Sequence, residues 1–562
     1  MTAPPLKFKP LLSYDFIIIG GGTAGCVLAD RLSADPNITV AVIEGGPSDH
    51  DIPQVLQLAD WLSLLGGEYD YQYPTTEQPR GNSHILHSRA KVLGGCSSHN
   101  TLICFRPFPE DCDDWVKAGA TGWDSESMQH YGDRIKCKIA PVHTKDRNPI
   151  MADWISSCTA ATGVPVIGDF DSWSRVRGEG VGFTVVDNVV DGKPAPPPTT
   201  GGKGRGKAFS EGVGWLSIAY TPEDGKRQSA SVAYVHPIMG KRKNLHLYLE
   251  TWVNKLELSA DGKTVVGVRM TSKDGKEFVL KAKHEVLLAA GAVDTPRLML
   301  LSGIGPKKDL EELGIQSRVN LPGVGENLVD HPESIIMWEV DELPPQTVMQ
   351  SDTALFIRRD TSDPRPDLMF HIYSVPFADN TERLGYPRPP HAICMTPNIP
   401  RPKSRGRLYL TSNDPMVKPA LDFRYFTDPE DYDAQTLVDG FKIARKIAAQ
   451  APFSQWLKSE IAPGPKVVTD EQLSEYGRKV SHTVYHPAGT CKMGAVDDEL
   501  AVVDPELKVI GMSNVRVVDA SVFPLMVSAN PMLTVLIIGE KASDLILADY
   551  YKKEKKPASS RL

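Results

Sequence analysis

Residues Tyr14–Ile19, YDFIII, are apolar at all but one position and stop at a cluster of glycines, which is how a buried strand reads. Helical spacing then runs through CVLADRLSAD, and ITVAVIE (Ile38–Glu44) returns to a strand. The start of the chain therefore predicts a βαβ unit with a glycine turn between its first two elements. Further on, LHLYLETWVNKLEL and VVGVRM alternate as hairpin strands do, and KHEVLLAAGAVDTPRLMLLSGIG predicts strand, glycine turn and helix. No internal repeat is visible. Two segments break the pattern. Residues 60–89 mix aromatics with glycines and predict either a lid over a site or a surface excursion. Residues 191–207, DGKPAPPPTTGGKGRGK, can bury almost nothing and predict a flexible surface insertion.

A chain of 562 residues predicts two to four domains, and 41% hydrophobic with 23% charged residues places it among soluble globular enzymes. The net charge of −8 leaves no basic footprint, so no nucleic-acid partner is expected. No stretch reaches the roughly 18 apolar residues of a membrane span, and no membrane partner is expected. The opening MTAPPLKFKPLLSYDFIIIGGG lacks the regions of a secretory signal. Ser560-Arg561-Leu562 is the Arg variant of the C-terminal Ser-Lys-Leu address, so the expected compartment is the peroxisome, and otherwise the cytoplasm. The eight cysteines form no CxxC pair and no Cys/His set with zinc spacing; they predict buried thiols and no metal site.

Gly20, Gly22 and Gly25 make a GxGxxG on the turn of the βαβ unit, and Glu44 closes the second strand 19 residues beyond Gly25. Small residues there let backbone N–H groups and a helix N-terminus reach a pyrophosphate, while the carboxylate accepts from a ribose. On this motif NAD and FAD both fit.

Five blocks together resemble one family, the glucose–methanol–choline flavoprotein oxidoreductases. They are GGGTAGCVLADRLS with VIEGGP, RAKVLGGCSSHNTLICFRP, GAVDTPRLMLLSGIGP, LPGVGENLVDHP, and NVRVVDASVFP with NPMLTVLIIGEKA, spanning about residues 14 to 545. The resemblance implies an α/β fold: a Rossmann-like FAD-binding domain built from discontinuous segments (1–150, 225–332 and 484–562). An antiparallel-sheet substrate domain of α+β type (151–224 and 333–483) is inserted into it. It implies FAD as cofactor, with Gly95, Asn100 and Asp519 beside it. QVLQLADWLSLL, YDYQYP, PDLMFHIYSVPFADNTERLGYP and HTVYHPAGT are similar to the members that oxidise choline. By that likeness His99, at the end of GGCSSHN, is joined covalently to the 8α-methyl carbon of the flavin, and Gly94 and Gly95 let the loop lie against the ring.

Oxidising an alcohol on a flavin requires removal of the hydroxyl proton and a fixed alignment for hydride transfer. The resemblance puts His486 at the catalytic base position, Asn530 at the second catalytic position, and Thr101 where the family member has a serine. His482 reads as structural. Glu333 and His371 match positions that contact choline, and a lone carboxylate facing a site implies a cation. Trp61, Tyr485 and Phe377 should form a cage for a trimethylammonium group. One wall is missing: the family member's tryptophan falls in the segment that here reads VMQSDTALF. Val484 matches a small residue associated with reaction with oxygen. The expected activity is oxidation of choline to betaine aldehyde and on to glycine betaine, with O2 reduced to H2O2, in a homo-oligomer. Alternatives are an oxidase of a neutral aryl or furan alcohol, a dehydrogenase using another acceptor, and a lyase or inert scaffold that keeps the flavin.

Overall fold

The N-terminal βαβ unit forms as its pattern predicts, from β1 (Ser13–Ile19), α1 (Thr23–Leu32) and β2 (Val40–Ile43). Next come β3 (Gly212–Trp215) and the series β4 (Leu245–Tyr248), β5 (Thr251–Leu258), β6 (Val265–Ser272) and β7 (Glu277–Leu288), which runs into helix α2 (Gly291–Leu301). The middle of the chain adds β8 (Ile336–Val340), β9 (Thr353–Ile357), β10 (Leu368–Tyr373), β11 (Ala392–Asn398), helix α3 (Tyr432–Ala448) and β12 (Leu457–Ala462). The end supplies β13 (Val515–Val517) and helix α4 (Met532–Glu554). This computed structural model describes residues 12–168, 170, 210–342 and 348–554, and the backbone of 189–190 and 193–194. Most of the 191–207 insertion and the terminal Ser560-Arg561-Leu562 lie outside the described residues.

Seven strands make the first sheet, in the order β4-β2-β1-β7-β6-β5, with β13 beside β7. β4, β2, β1, β7 and β13 run parallel, whereas β5, β6 and β7 form an antiparallel meander. β7 is long enough to serve both: Glu277–Lys281 pairs with β6, and Val286–Leu288 pairs with β13. LHLYLETWVNKLEL was expected to behave as hairpin strands throughout. Its second half does, pairing with VVGVRM, but its first half is β4, parallel to β2. Alternation reports that a strand has two faces; it does not report the direction of its neighbour. α1 covers the parallel part and crosses α4 so closely that a Cβ on Gly539 would sit 3.0 Å from Val27 Cβ.

The second sheet is antiparallel, in the order β12-β8-β11-β10-β9-β3, with the short strands Pro332–Glu333 and His482–Thr483 attached at β11. α3 packs against β11, and its buried positions Leu437, Val438, Phe441 and Ala444 recur at helical spacing. Gly440 lets it approach, since a Cβ there would meet Pro397 at 2.5 Å. The first sheet draws on residues 13–43, 245–288 and 515–517, and the second on 212–215 and 332–483. This is a discontinuous Rossmann-like sheet with an antiparallel sheet inserted, as the sequence implied. Among the described residues, no helix is long and apolar enough to cross a membrane.

Candidate active site

One cavity of about 720 Å³ runs from the glycine turn after β1 to the face of the second sheet. Of the site residues singled out from the sequence, all but Gly25 and Gly94 line it. Gly25 lies behind the turn, where its role is to let α1 meet β1: a Cβ would sit 2.0 Å from the Gly20 carbonyl. Gly22 caps α1, whose N-terminus opens on the cavity between Gly20 and Thr23. The Glu44 carboxylate accepts from the amides of Gly21 (2.9 Å) and Gly46 (2.8 Å), and burial raises its pKa to about 7. Asp519 ties the loop after β13 to α2, accepting from the Gly291 amide (2.9 Å) and the Thr295 hydroxyl (2.6 Å). A helix N-terminus, a glycine turn and a buried carboxylate fit the pyrophosphate and ribose of FAD.

The second glycine loop is laid on the first. Gly94 donates to the Gly21 carbonyl at 2.7 Å. Gly95 has φ +54°, and a Cβ on it would sit 2.7 Å from Gly22 Cα. A single 3₁₀ turn, Gly95–Ser98, then delivers His99 to the cavity wall, 4% exposed. Burial lowers the His99 pKa to about 4, so the ring is neutral, with Nε2 2.9 Å from the Leu64 carbonyl and Nδ1 3.4 Å from the Ser88 hydroxyl. Because a carbonyl can only accept, Nε2 carries the proton and Nδ1 the lone pair. Asn100 and Thr101 follow on the same wall, the Asn100 side chain accepting from the Leu102 amide at 3.0 Å. Residues 60–89 form a side of the cavity through Trp61, Tyr71 and Arg89, not an excursion away from it.

At the other end the groups come from the second sheet and from the strand end at His482–Thr483. Glu333 is 8% exposed, and its Oε2 has no hydrogen-bond partner among the described residues. Burial lifts its pKa to about 8; the Thr396 hydroxyl opposes that shift, and the charge of Asp330 adds to it. His371 is neutral, its pKa lowered to about 4 by burial, and its Nε2 has no hydrogen-bond partner among the described residues. Trp61 donates from its indole to the Met349 carbonyl at 2.8 Å, and Phe377 lies 4.7 Å from the Tyr373 ring.

His486 shares a hydrogen bond of 2.9 Å between its Nδ1 and His331 Nδ1. His331 Nε2 lies 2.9 and 3.1 Å from the carbonyls of Pro400 and Val527, so that nitrogen carries its proton. Burial keeps the His331 pKa near about 4; the ring is neutral, and its Nδ1 must accept. His486 therefore donates from Nδ1, which leaves a lone pair on Nε2. Burial pushes the His486 pKa well down, and His331, Arg89 and His371 push it further. The peptide before it is held in a left-handed conformation, with φ +62° at Tyr485. Thr483 Oγ1 takes the Tyr485 amide at 2.7 Å, Arg89 donates to the Tyr485 carbonyl at 2.5 Å, and Asp330 takes the His486 amide at 2.9 Å. A non-glycine residue keeps such backbone only where its surroundings fix it. Val484 and Asn530, the latter at the start of α4 beside Pro531, complete this end of the wall.

Several groups here were not singled out from the sequence. His331 stands in LPGVGENLVDHP, one of the family blocks, but its role depends on a partner 155 residues away. Arg89 opens the RAKVLGG block. Tyr373 lies two positions beyond His371, which on a strand means the same face. His482, read as structural, lines the cavity as well and packs on Tyr485 at 5.3 Å.

Residues 14–187 with 204–333, and residues 402–539, match the two sequence models of the GMC oxidoreductase family, and the chain belongs to that family. It is an FAD-dependent oxidoreductase. Among its relatives, the choline oxidase of Arthrobacter globiformis is 40% identical over 552 residues, covering 95% of this chain and 94% of that protein. The oxygen-dependent choline dehydrogenase of Staphylococcus saprophyticus is 35% identical over 571 residues, covering 95% of each. The crystal structure of pyridoxine 4-oxidase from Mesorbium loti shares the fold, with a TM-score of 0.81 at 24% identity over 96% of this chain and 99% of that one.

Proposed function

We propose that this chain is an oxygen-dependent oxidase of choline, or of a close quaternary amino alcohol, taking it to the aldehyde and on to the betaine. The observation that carries the reading is Glu333, a carboxyl buried in an aromatic wall with one oxygen left unpartnered among the described residues. Stripping such a group of water is costly unless something returns the lost interaction, and a bound cation does so. A trimethylammonium group also suits the faces of Trp61, Tyr485 and Phe377. The names of two relatives support the same substrate.

FAD, held by the turn at Gly20–Gly22, by Glu44 and by the loop carrying Gly95 and His99, would supply the hydride acceptor and the two-electron reductant of O2. His486 takes the hydroxyl proton on Nε2, and His331 fixes the tautomer that makes this nitrogen the acceptor. The Asn530 amide and the Thr101 hydroxyl orient the substrate oxygen without competing for its proton. Because the hydrated aldehyde is itself an alcohol, the same groups serve the second oxidation. His99 is the proposed point at which the flavin would be held covalently. A second reading, oxidation of a neutral primary alcohol, draws on the Glu333 pKa of about 8, since a protonated carboxyl there would donate to an uncharged ligand.

Oxygen uptake by the yellow holoenzyme, with choline beside its uncharged isostere 3,3-dimethylbutan-1-ol, separates the two. Fast uptake with choline and slow uptake with the isostere is expected. Equal rates, or uptake with the neutral alcohol alone, would overturn the choline reading.

A further inference from the structure

The segment that lacks the family's tryptophan is not an open gap in the wall. Ser351 stands there, fully buried. The backbone just before it is fixed from two directions: Trp61 donates to the Met349 carbonyl at 2.8 Å, and the Ser374 amide donates to the Gln350 carbonyl at 3.0 Å. The second of these bonds comes from the residue after Tyr373, the last residue of β10. The short side chain at 351 thus faces a strand end that carries a large one.

Tyr373 occupies that corner. Its ring centroid lies 6.4 Å from Trp61, 4.7 Å from Phe377 and 6.0 Å from His371, so three rings stand around it where it lines the cavity. Strand periodicity sets this placement: His371 pairs with Thr396 and Tyr373 with Cys394 on β11, which puts both side chains on one face, while Phe370 and Ile372 point to the other. Tyr373 is buried, and the Ser351 hydroxyl lies beside its phenol without the geometry of a full hydrogen bond. The Glu333 carboxylate is near enough to raise the cost of ionising the phenol. Tyr373 therefore stays neutral, and its ring borders the same cavity as the Glu333 carboxyl.

We infer that Tyr373 is the specificity-determining aromatic wall of the cation subsite, replacing from β10 the ring that the 348–356 segment does not supply. The inference rests on the choline reading above and deepens it. A cation at Glu333 is then flanked by Trp61 and Tyr373, and Ser351 makes the room in which the phenol stands. A purely structural Tyr373 would support every substrate alike; a wall of the subsite favours the charged one.

The test is the ratio of kcat/KM for choline to that for 3,3-dimethylbutan-1-ol, measured on holoenzyme whose flavin absorbance matches the wild type. Tyr373→Leu keeps apolar bulk and removes the π face, so the ratio should fall roughly 3- to 30-fold, the range of a cation–π contact. Tyr373→Phe keeps the face and should leave the ratio within about twofold of wild type. The inhibition constant of tetramethylammonium chloride should weaken in step with the ratio. If the Leu variant does not retain flavin, Tyr373→Met replaces it as an unbranched apolar side chain. A wild-type ratio well above one that stays unchanged in the Leu or Met variant would overturn the role of Tyr373 and leave the choline reading standing. A wild-type ratio near one would overturn both.

Discussion

The two ends of the cavity are built on opposite principles. At the nucleotide end the wall is backbone: Gly94 bonds to Gly21, Gly95 touches Gly22, and the carboxylates of Glu44 and Asp519 are each satisfied by amides or hydroxyls. At the substrate end the wall is side chain, and its key atoms are left wanting: among the described residues Glu333 Oε2 and His371 Nε2 have no hydrogen-bond partner, and His486 Nε2 has only a lone pair. The first end holds whatever carries a pyrophosphate, and substrate identity does not enter. The second end stores unsatisfied polarity that only a particular ligand can relieve. Buried polar groups without partners cost free energy, so their persistence points to the ligand that completes them.

Breaking the substrate end should produce the largest effect. His486→Ala removes the proton acceptor and should lower kcat/KM by about a hundredfold to ten-thousandfold for charged and neutral alcohols alike, with flavin content unchanged. Anaerobic stopped-flow bleaching of the flavin would read this directly, and wild-type bleaching rates in the variant would remove His486 from the base role. Breaking the cofactor end should have a smaller and less selective consequence. His99→Ala should release its yellow colour into the supernatant on acid precipitation, where wild type keeps it in the pellet, and should slow both alcohols by one common factor. Colour lost from wild type as well would end the covalent assignment.

The same contrast decides how much the sequence could reveal. The nucleotide end is local: a strand, three glycines, a helix and an acid fit within residues 14–44, so spacing alone exposes them. Glu333, His371 and His486 came from resemblance, because their meeting depends on the register of strands far apart in the chain. His331 escaped notice because its meaning lies in a hydrogen bond to His486 and two carbonyls. Tyr373 is legible in principle, two positions from His371 on a strand, but the resemblance places the cage aromatic in the 348–356 segment instead. β4 was misread because a period of two says nothing about whether the neighbour runs parallel.

Charge recognition by Glu333 is the central claim, and pH exposes it. Burial raises the carboxyl to about 8, so below that pH the free site holds a proton that a cation must displace. His486 is pushed well below the ordinary histidine range and stays neutral over the same interval, so it adds no step there. The decisive measurement is the choline-to-isostere ratio of kcat/KM from pH 6 to 9, in wild type and in Glu333→Gln. The account predicts that the wild-type ratio rises up to tenfold per pH unit, levels near about 8, and becomes flat and close to one in the variant. A wild-type ratio independent of pH, or the same rise with Gln at position 333, would contradict it.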